Sequence, residues 1–180
     1  MDQNTTITLI RHGETEWNLS GRWQGHADSP LSPRGISQAK ALGGRIEEET
    51  FDFFYSSDLG RALHTSELIG SPSGMTAEMY PGFRERDLGV LEGLNTDEMM
   101  QSHPEVYKSF RHDGPEYEVP GGESFLHFYE RCSASIEDLA NRHQGARIAV
   151  VTHGGVLGVL FRYILKIPLE ADRNFVLLNC

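Results

Sequence analysis

Two histidines in this chain stand in the same local setting. His12 follows Ile7-Thr8-Leu9-Ile10-Arg11 and precedes Gly13, while His153 follows Ile148-Ala149-Val150-Val151-Thr152 and precedes Gly154. A turn needs no imidazole, so each apolar stem reads as a strand that aims a histidine out of one end of a sheet. Arg11, Arg61 at the end of Ser56-Ser57-Asp58-Leu59-Gly60, and Glu85 within Arg84-Glu85-Arg86 add two guanidinium groups and a carboxyl. Guanidinium forks match phosphate oxygens bidentately. A neutral imidazole can attack phosphorus and carry the phosphoryl group covalently, which divides one barrier into two. Phosphoryl transfer otherwise asks the protein for positioning and for positive charge around the equatorial oxygens. Arg11, Arg61 and His153 would supply that without a metal. A departing alkoxide needs a proton, which Glu85 would give before activating water for the second step. Asn18 can donate an amide hydrogen to a phosphate oxygen, and Gly13 and Gly154 let the backbone run close to a ligand.

These groups converge only if the elements carrying them share a sheet edge. The pattern predicts a strand at 5–10, a helix at 34–48 interrupted at Gly43-Gly44, a strand at 51–57 and a helix at 58–70. A short strand at 75–80 leads into turn-like sequence at 81–93, then two short helices within 95–111 parted at His103-Pro104. After a loop at 112–122, Phe125, Phe128, Cys132, Ile136 and Leu139 recur at helical spacing in an amphipathic helix at 123–141, and this stripe reads as core. A strand at 146–152, a helix at 156–165 and a last strand at 173–180 complete the chain. Strand and helix alternate throughout, which predicts an α/β fold: a three-layer α/β/α sandwich with a mostly parallel central sheet. Ligands of such sheets bind beyond the carboxyl ends of the strands. Arg11-His12, Thr152-His153 and the 56–61 segment all leave strands at that edge.

The bulk composition sets outer limits. A chain of 180 residues suits one well-buried domain. With 16 basic and 26 acidic residues the net charge is −10, which argues against nucleic acid or an anionic membrane as partner but leaves room for a small anion in a local positive pocket. The opening residues lack a basic leader with a long apolar run, so a cytoplasmic protein is expected. No stretch reaches the roughly 18 apolar residues of a membrane span. Cys132 and Cys180 have neither metal nor disulfide spacing. A zinc site built from His12, His153, Asp58 and Glu85 lacks any supporting motif, and the two arginines would repel a cation. A phosphate-binding module without turnover is a third reading, against which His12, His153 and Glu85 all stand. Asp87, Glu92 and Glu14 could each replace Glu85 as the acid. His26, His64, His103, His112, His127 and His143 show no ligand spacing and read as surface or packing residues.

Five segments, 11–15, 56–67, 84–93, 120–124 and 151–155, together resemble the histidine phosphatase superfamily, the phosphoglycerate mutase-like fold, over nearly the whole chain. The resemblance implies His12 as the phosphorylated nucleophile, Arg11, Arg61 and His153 as phosphate ligands, and Glu85 as proton donor. It also implies a substrate pocket drawing on Asn18, Gln24 and Gly25, a rim formed by 95–119 within a single 1–180 domain, no metal and no cofactor. The mutases of the family carry a longer insertion after the acid, whereas only 67 residues separate Glu85 from His153 here, as in the family's small phosphatases. The expected activity is therefore hydrolysis of a small-molecule phosphate monoester, with a phosphomutase as the alternative. Family substrates include α-ribazole phosphate, phosphoserine, sugar phosphates and phosphoglycerates, and the acidic 116–123 segment suits a neutral or zwitterionic leaving group better than a second anion. A monomer or homodimer is expected.

Overall fold

The computed structural model describes residues 4–46, 49–171 and 179. Strand β1 (Thr6–Arg11) is followed by a four-residue helix α1 (Glu16–Leu19) and then α2 (Pro33–Ile46). Next come β2 (Phe53–Ser56), α3 (Gly60–Gly70) and the two-residue β3 (Glu78–Met79). Single 3-10 turns at Pro81–Phe83 and Gly89–Leu91 precede α4 (Thr96–Ser102), α5 (Pro104–His112), α6 (Phe125–Arg142), β4 (Arg147–Thr152) and α7 (Gly154–Leu165). The strands form one parallel sheet in the order β1-β4-β2-β3. The expected strand at 173–180 lies outside the described residues.

Strand β4 occupies the middle because its residues are apolar on both sides. Ile148 and Val150 face one layer with Tyr55, Phe128, Cys132, Leu139 and Val159 from β2, α6 and α7. Ala149 and Val151 face the other with Ile10, Ala39, Phe54, Ala62 and Ile69 from β1, α2, β2 and α3. Each fully buried aliphatic side chain of this kind contributes about 1.5–3 kcal/mol, so the two cores fix the register that places the strand ends. The Phe128, Cys132 and Leu139 stripe of α6 is buried as its spacing predicts, with Phe125 and Ile136 packed at its margin. A third cluster of Leu88, Leu91, Met99 and Val119 joins the 88–91 turn to α4 and α5.

Helix α2 is not broken at Gly43-Gly44. Two glycines cost a helix roughly 1 kcal/mol each relative to alanine, yet a Cβ at Gly43 would sit 3.0 Å from the Ile69 carbonyl oxygen and 3.1 Å from that of Leu68. The glycine lets α2 lie directly on α3, and packing overrides the local propensity. Helix α1 went unforeseen because four residues carry no periodicity. It exists through a capping box in which Thr15 and Asn18 exchange side-chain-to-backbone hydrogen bonds.

Candidate active site

Parallel pairing brings Arg11 level with Thr152 and Ser56 level with Val151. The ladders run one residue further: the His12 N–H donates to the Thr152 carbonyl at 2.9 Å and the Ser57 N–H to that of Val151 at 2.9 Å. His12, Ser57 and His153 therefore leave three adjacent strands at the same edge. The two imidazole centroids are 5.3 Å apart, inclined at 57°.

His12 is buried. Its Nδ1 lies 2.7 Å from the Gly13 carbonyl oxygen, and a carbonyl only accepts, so Nδ1 carries the hydrogen and Nε2 keeps the lone pair. Burial first, then the positive charge of Arg61 and Arg11, push the His12 pKa down to about 3 against the lesser opposing effect of the Gly13 bond. The ring is neutral near pH 7. His153 is fully buried, with its Nε2 2.8 Å from Ser57 Oγ. Burial, reinforced by Arg61 and His12, drives its pKa well below the usual histidine value.

Arg61 is held inside the protein by the loop that follows α1. It donates to the carbonyls of Gly25 (2.7 Å) and Ala27 (2.9 Å) and pairs with Asp28 at 3.1 Å. Gly25 has φ +56°, a left-handed conformation that suits glycine and turns its carbonyl onto the arginine. Burial lowers the Arg61 pKa while Glu85 and Asp28 oppose it. Arg61 Nε, His153 Nδ1 and Gln24 Oε1 are buried with no hydrogen-bond partner among the described residues. Orphaned buried polar atoms cost about 1–3 kcal/mol each, and their gathering at one sheet edge is the signature of a site awaiting a polar ligand.

Glu85 reaches the same place from the 84–88 loop. Its Oε1 accepts from the Arg86 N–H at 2.9 Å and its Oε2 from the Gly155 N–H at 2.8 Å. The carboxylate thus caps α7, whose N-cap residue His153 makes no side-chain cap bond of its own. Asp87 and Glu92 are otherwise engaged. Asp87 accepts from the Gly89 N–H, and Glu92 takes the N–H groups of His26, Ala27 and Leu88. Glu14 accepts from the Ser32 hydroxyl at 2.8 Å.

A cavity of about 350 Å³ opens over these groups and is lined by Arg11, Arg61, Glu85, Gln24, Gly25 and Gly154. His12 and His153 are not among its lining residues; they adjoin Arg11 and Gly154 in the chain. Asn18 does not line it either: its Oδ1 accepts from the Thr15 N–H at 3.1 Å in the capping box. The rest of the lining is Trp23, Leu88, Phe110, Phe125 and Phe128 with Arg86; Phe110 falls in the expected 95–119 rim, Phe125 and Phe128 come from the stripe read as core, and sequence reasoning missed Trp23, Leu88 and Arg86. Arg86 lies 5.1 Å from the Phe110 ring centroid and 5.7 Å from that of Phe125, and burial lowers its pKa to about 10. Helical spacing marks Phe125 and Phe128 as buried but not as cavity lining, and only the tertiary fold brings them together with Trp23 and Phe110. Among the described residues no three His, Cys, Asp or Glu side chains form a metal-ligating cluster, and no helix is long and apolar enough to cross a membrane.

Residues 7–180 match the family model of the histidine phosphatase superfamily, branch 1. The chain is 39% identical over 158 residues to phosphoglycerate mutase-like protein 4 of Arabidopsis thaliana, covering 86% of this chain and 69% of that one. It is 41% identical over 165 residues to a metal-independent phosphoserine phosphatase of the same plant, covering 90% and 69%. The solved α-ribazole phosphatase of Shigella flexneri superposes with a TM-score of 0.84 at 34% identity, over 91% of this chain and 81% of that one. With the family model matched over residues 7–180 and relatives of this identity and coverage, the chain belongs to the histidine phosphatase superfamily.

Proposed function

We propose that the protein hydrolyses small-molecule phosphate monoesters through a phosphohistidine on His12. The observation that carries this reading is the fixed, neutral tautomer of His12, with Nδ1 donating to Gly13 and Nε2 left as a lone pair beside two arginines. In the first step Nε2 attacks phosphorus, the bond from phosphorus to the ester oxygen breaks, and that oxygen takes a proton from Glu85. In the second, the Glu85 carboxylate removes a proton from water, the water oxygen attacks phosphorus, and the bond from phosphorus to nitrogen breaks. Phosphate leaves and both residues return to their starting states.

Arg11, Arg61 and His153 hold the phosphoryl oxygens. Donation from the Ser57 hydroxyl to His153 Nε2 sets a hydrogen on the orphaned Nδ1, which then faces an oxygen acceptor. The capping box turns the Asn18 amide so that its NH2 end is the one left to donate. Gln24, Gly25 and Gly154 line the approach, and the 95–119 segment supplies the rim through Phe110. The leaving group rests on the Trp23, Phe110 and Phe125 wall, where Arg86 can pair with the carboxylate of a zwitterionic leaving group, in keeping with the expectation drawn from the acidic 116–123 segment. The phosphoserine phosphatase relative supports that choice. The mutase-like relative favours the second reading, a phosphomutase.

The test incubates the protein with a panel of monoesters in EDTA while free phosphate and isomerised product are followed together. Chelator-resistant phosphate release is expected. Formation of 2-phosphoglycerate from 3-phosphoglycerate and catalytic 2,3-bisphosphoglycerate, without free phosphate, would replace hydrolysis by the mutase reading.

A further inference from the structure

The loop that clamps Arg61 and the loop that carries Glu85 are separate in sequence, and the His26 side chain reaches from the first to the second. His26 lies between Gly25 and Ala27, whose carbonyls both accept from Arg61. Its Nε2 lies 2.9 Å from the main-chain carbonyl oxygen of Glu85, and its Nδ1 lies 3.3 Å from Asp87 Oδ2 on the same acid-bearing loop. A carbonyl can only accept, so Nε2 is the donor. Glu92 closes the junction from below by accepting the His26 N–H at 2.6 Å, the Ala27 N–H at 2.8 Å and the Leu88 N–H at 3.1 Å.

Arg131 also donates to the Glu85 carbonyl, at 3.2 Å, but its other bonds go to the Gly82 and Arg84 carbonyls and to Glu123. It supports the acid loop as a body from α6. His26 ties the acid itself to the arginine clamp. Accepting the reading of Glu85 as general acid, we propose that His26 is a positioning residue, which sets the distance between the proton donor and the phosphate held by Arg61 through its Nε2 hydrogen bond to Glu85. His26 does not line the cavity, so it acts through Glu85 rather than on the substrate.

Three variants separate this from a merely structural role. His26→Gln carries an amide N–H to the reach of Nε2 and keeps the bond to the Glu85 carbonyl. His26→Asn places its amide near the Nδ1 position, toward Asp87, and loses that bond, and His26→Ala loses both. Acid catalysis matters for a poor leaving group and hardly for 4-nitrophenolate. With general acids worth about 10²–10⁴-fold and misplacement by 1 Å worth about 10²-fold, His26→Asn and His26→Ala should lose roughly 10–100-fold in kcat on an alkyl ester such as β-glycerophosphate. They should lose less than about 3-fold on 4-nitrophenyl phosphate, with KM little changed, and His26→Gln should stay within about 3-fold of the parent on both esters. Glu85→Gln is measured in parallel. If Glu85→Gln shows the split between esters and His26→Asn does not, or loses both esters equally, the role of His26 is overturned while the acid stands. If Glu85→Gln shows no split, the reading of Glu85 as acid falls, and the role of His26 falls with it.

Discussion

Gly155 offers a substitution that is mild for the fold and severe for the chemistry. A Cβ at this position would lie 2.0 Å from Glu85 Oε1 and 2.9 Å from its Cδ, against an ordinary contact of 3.4–4 Å. In Gly155→Ala the carboxylate must therefore retreat by about 1.4 Å, the difference between 3.4 and 2.0 Å. It is the free end of a flexible side chain, so the backbone can stay in place. The retreat breaks the 2.8 Å bond from the Gly155 N–H. Losing the hydrogen bond costs about 0.5–3 kcal/mol, from a neutral to a charged partner, and alanine in place of a helical glycine returns about 0.8–1 kcal/mol. The net loss of at most about 2 kcal/mol is small beside a typical stability of about 5–15 kcal/mol. A general acid displaced by more than 1 Å should lose roughly 100-fold in kcat on alkyl esters, with less than about 3-fold on 4-nitrophenyl phosphate. Steady-state kinetics on the two esters, with thermal unfolding to confirm the fold, measures both quantities. Full alkyl-ester turnover in the folded variant would refute the placement of the acid on α7.

The buried neutral state of His12 has a signature in stability. Its folded pKa of about 3 lies below the ordinary 6.5, so the unfolded chain binds more protons between those values and stability falls as pH drops through that window. The loss from this group at pH 5 is on the order of 2 kcal/mol. Denaturant unfolding at pH 7 and pH 5 should show His12→Asn losing less stability than the parent, and equal losses would contradict a buried neutral imidazole. Phe110→Ala should raise KM roughly 10-fold for aryl esters and leave methyl phosphate unchanged, since a buried aromatic contact is worth about 0.5–1.5 kcal/mol beyond its area; an equal change on both esters would remove Phe110 from the leaving-group wall. Arg61→Lys keeps the charge but loses the fork that serves Gly25, Ala27 and Asp28 together. It should weaken vanadate binding at least 10-fold by isothermal titration, given that charge-assisted hydrogen bonds contribute about 1.5–3 kcal/mol each; unchanged affinity would contradict its place at the phosphate.

The strand ends were legible in the sequence because parallel βα units leave their chemistry at one edge; the register that sets Arg11 level with Thr152 comes from the packing of the two cores. The α6 stripe was legible because a long amphipathic helix writes its buried face at fixed spacing. Gly43-Gly44 misled because a local propensity was weighed without the α3 surface it packs against. The aromatic wall and the His26 bridge were hidden for a different reason. They join segments far apart in the chain, as when position 26 meets position 85, and neither periodicity nor short-range spacing encodes such a meeting. Sequence alone leaves Glu92 as a possible substitute for Glu85, and its three backbone partners show that it is a strut.

Passage of the phosphoryl group through His12 is open to direct observation. The direct measurement mixes the protein with excess substrate, quenches into alkali within the first turnover, and locates phosphate by peptide mass spectrometry. One acid-labile phosphoryl group per chain is expected, on His12, and none in His12→Asn. Steady turnover with no phosphorylated chain, or with phosphate on another residue, would contradict it.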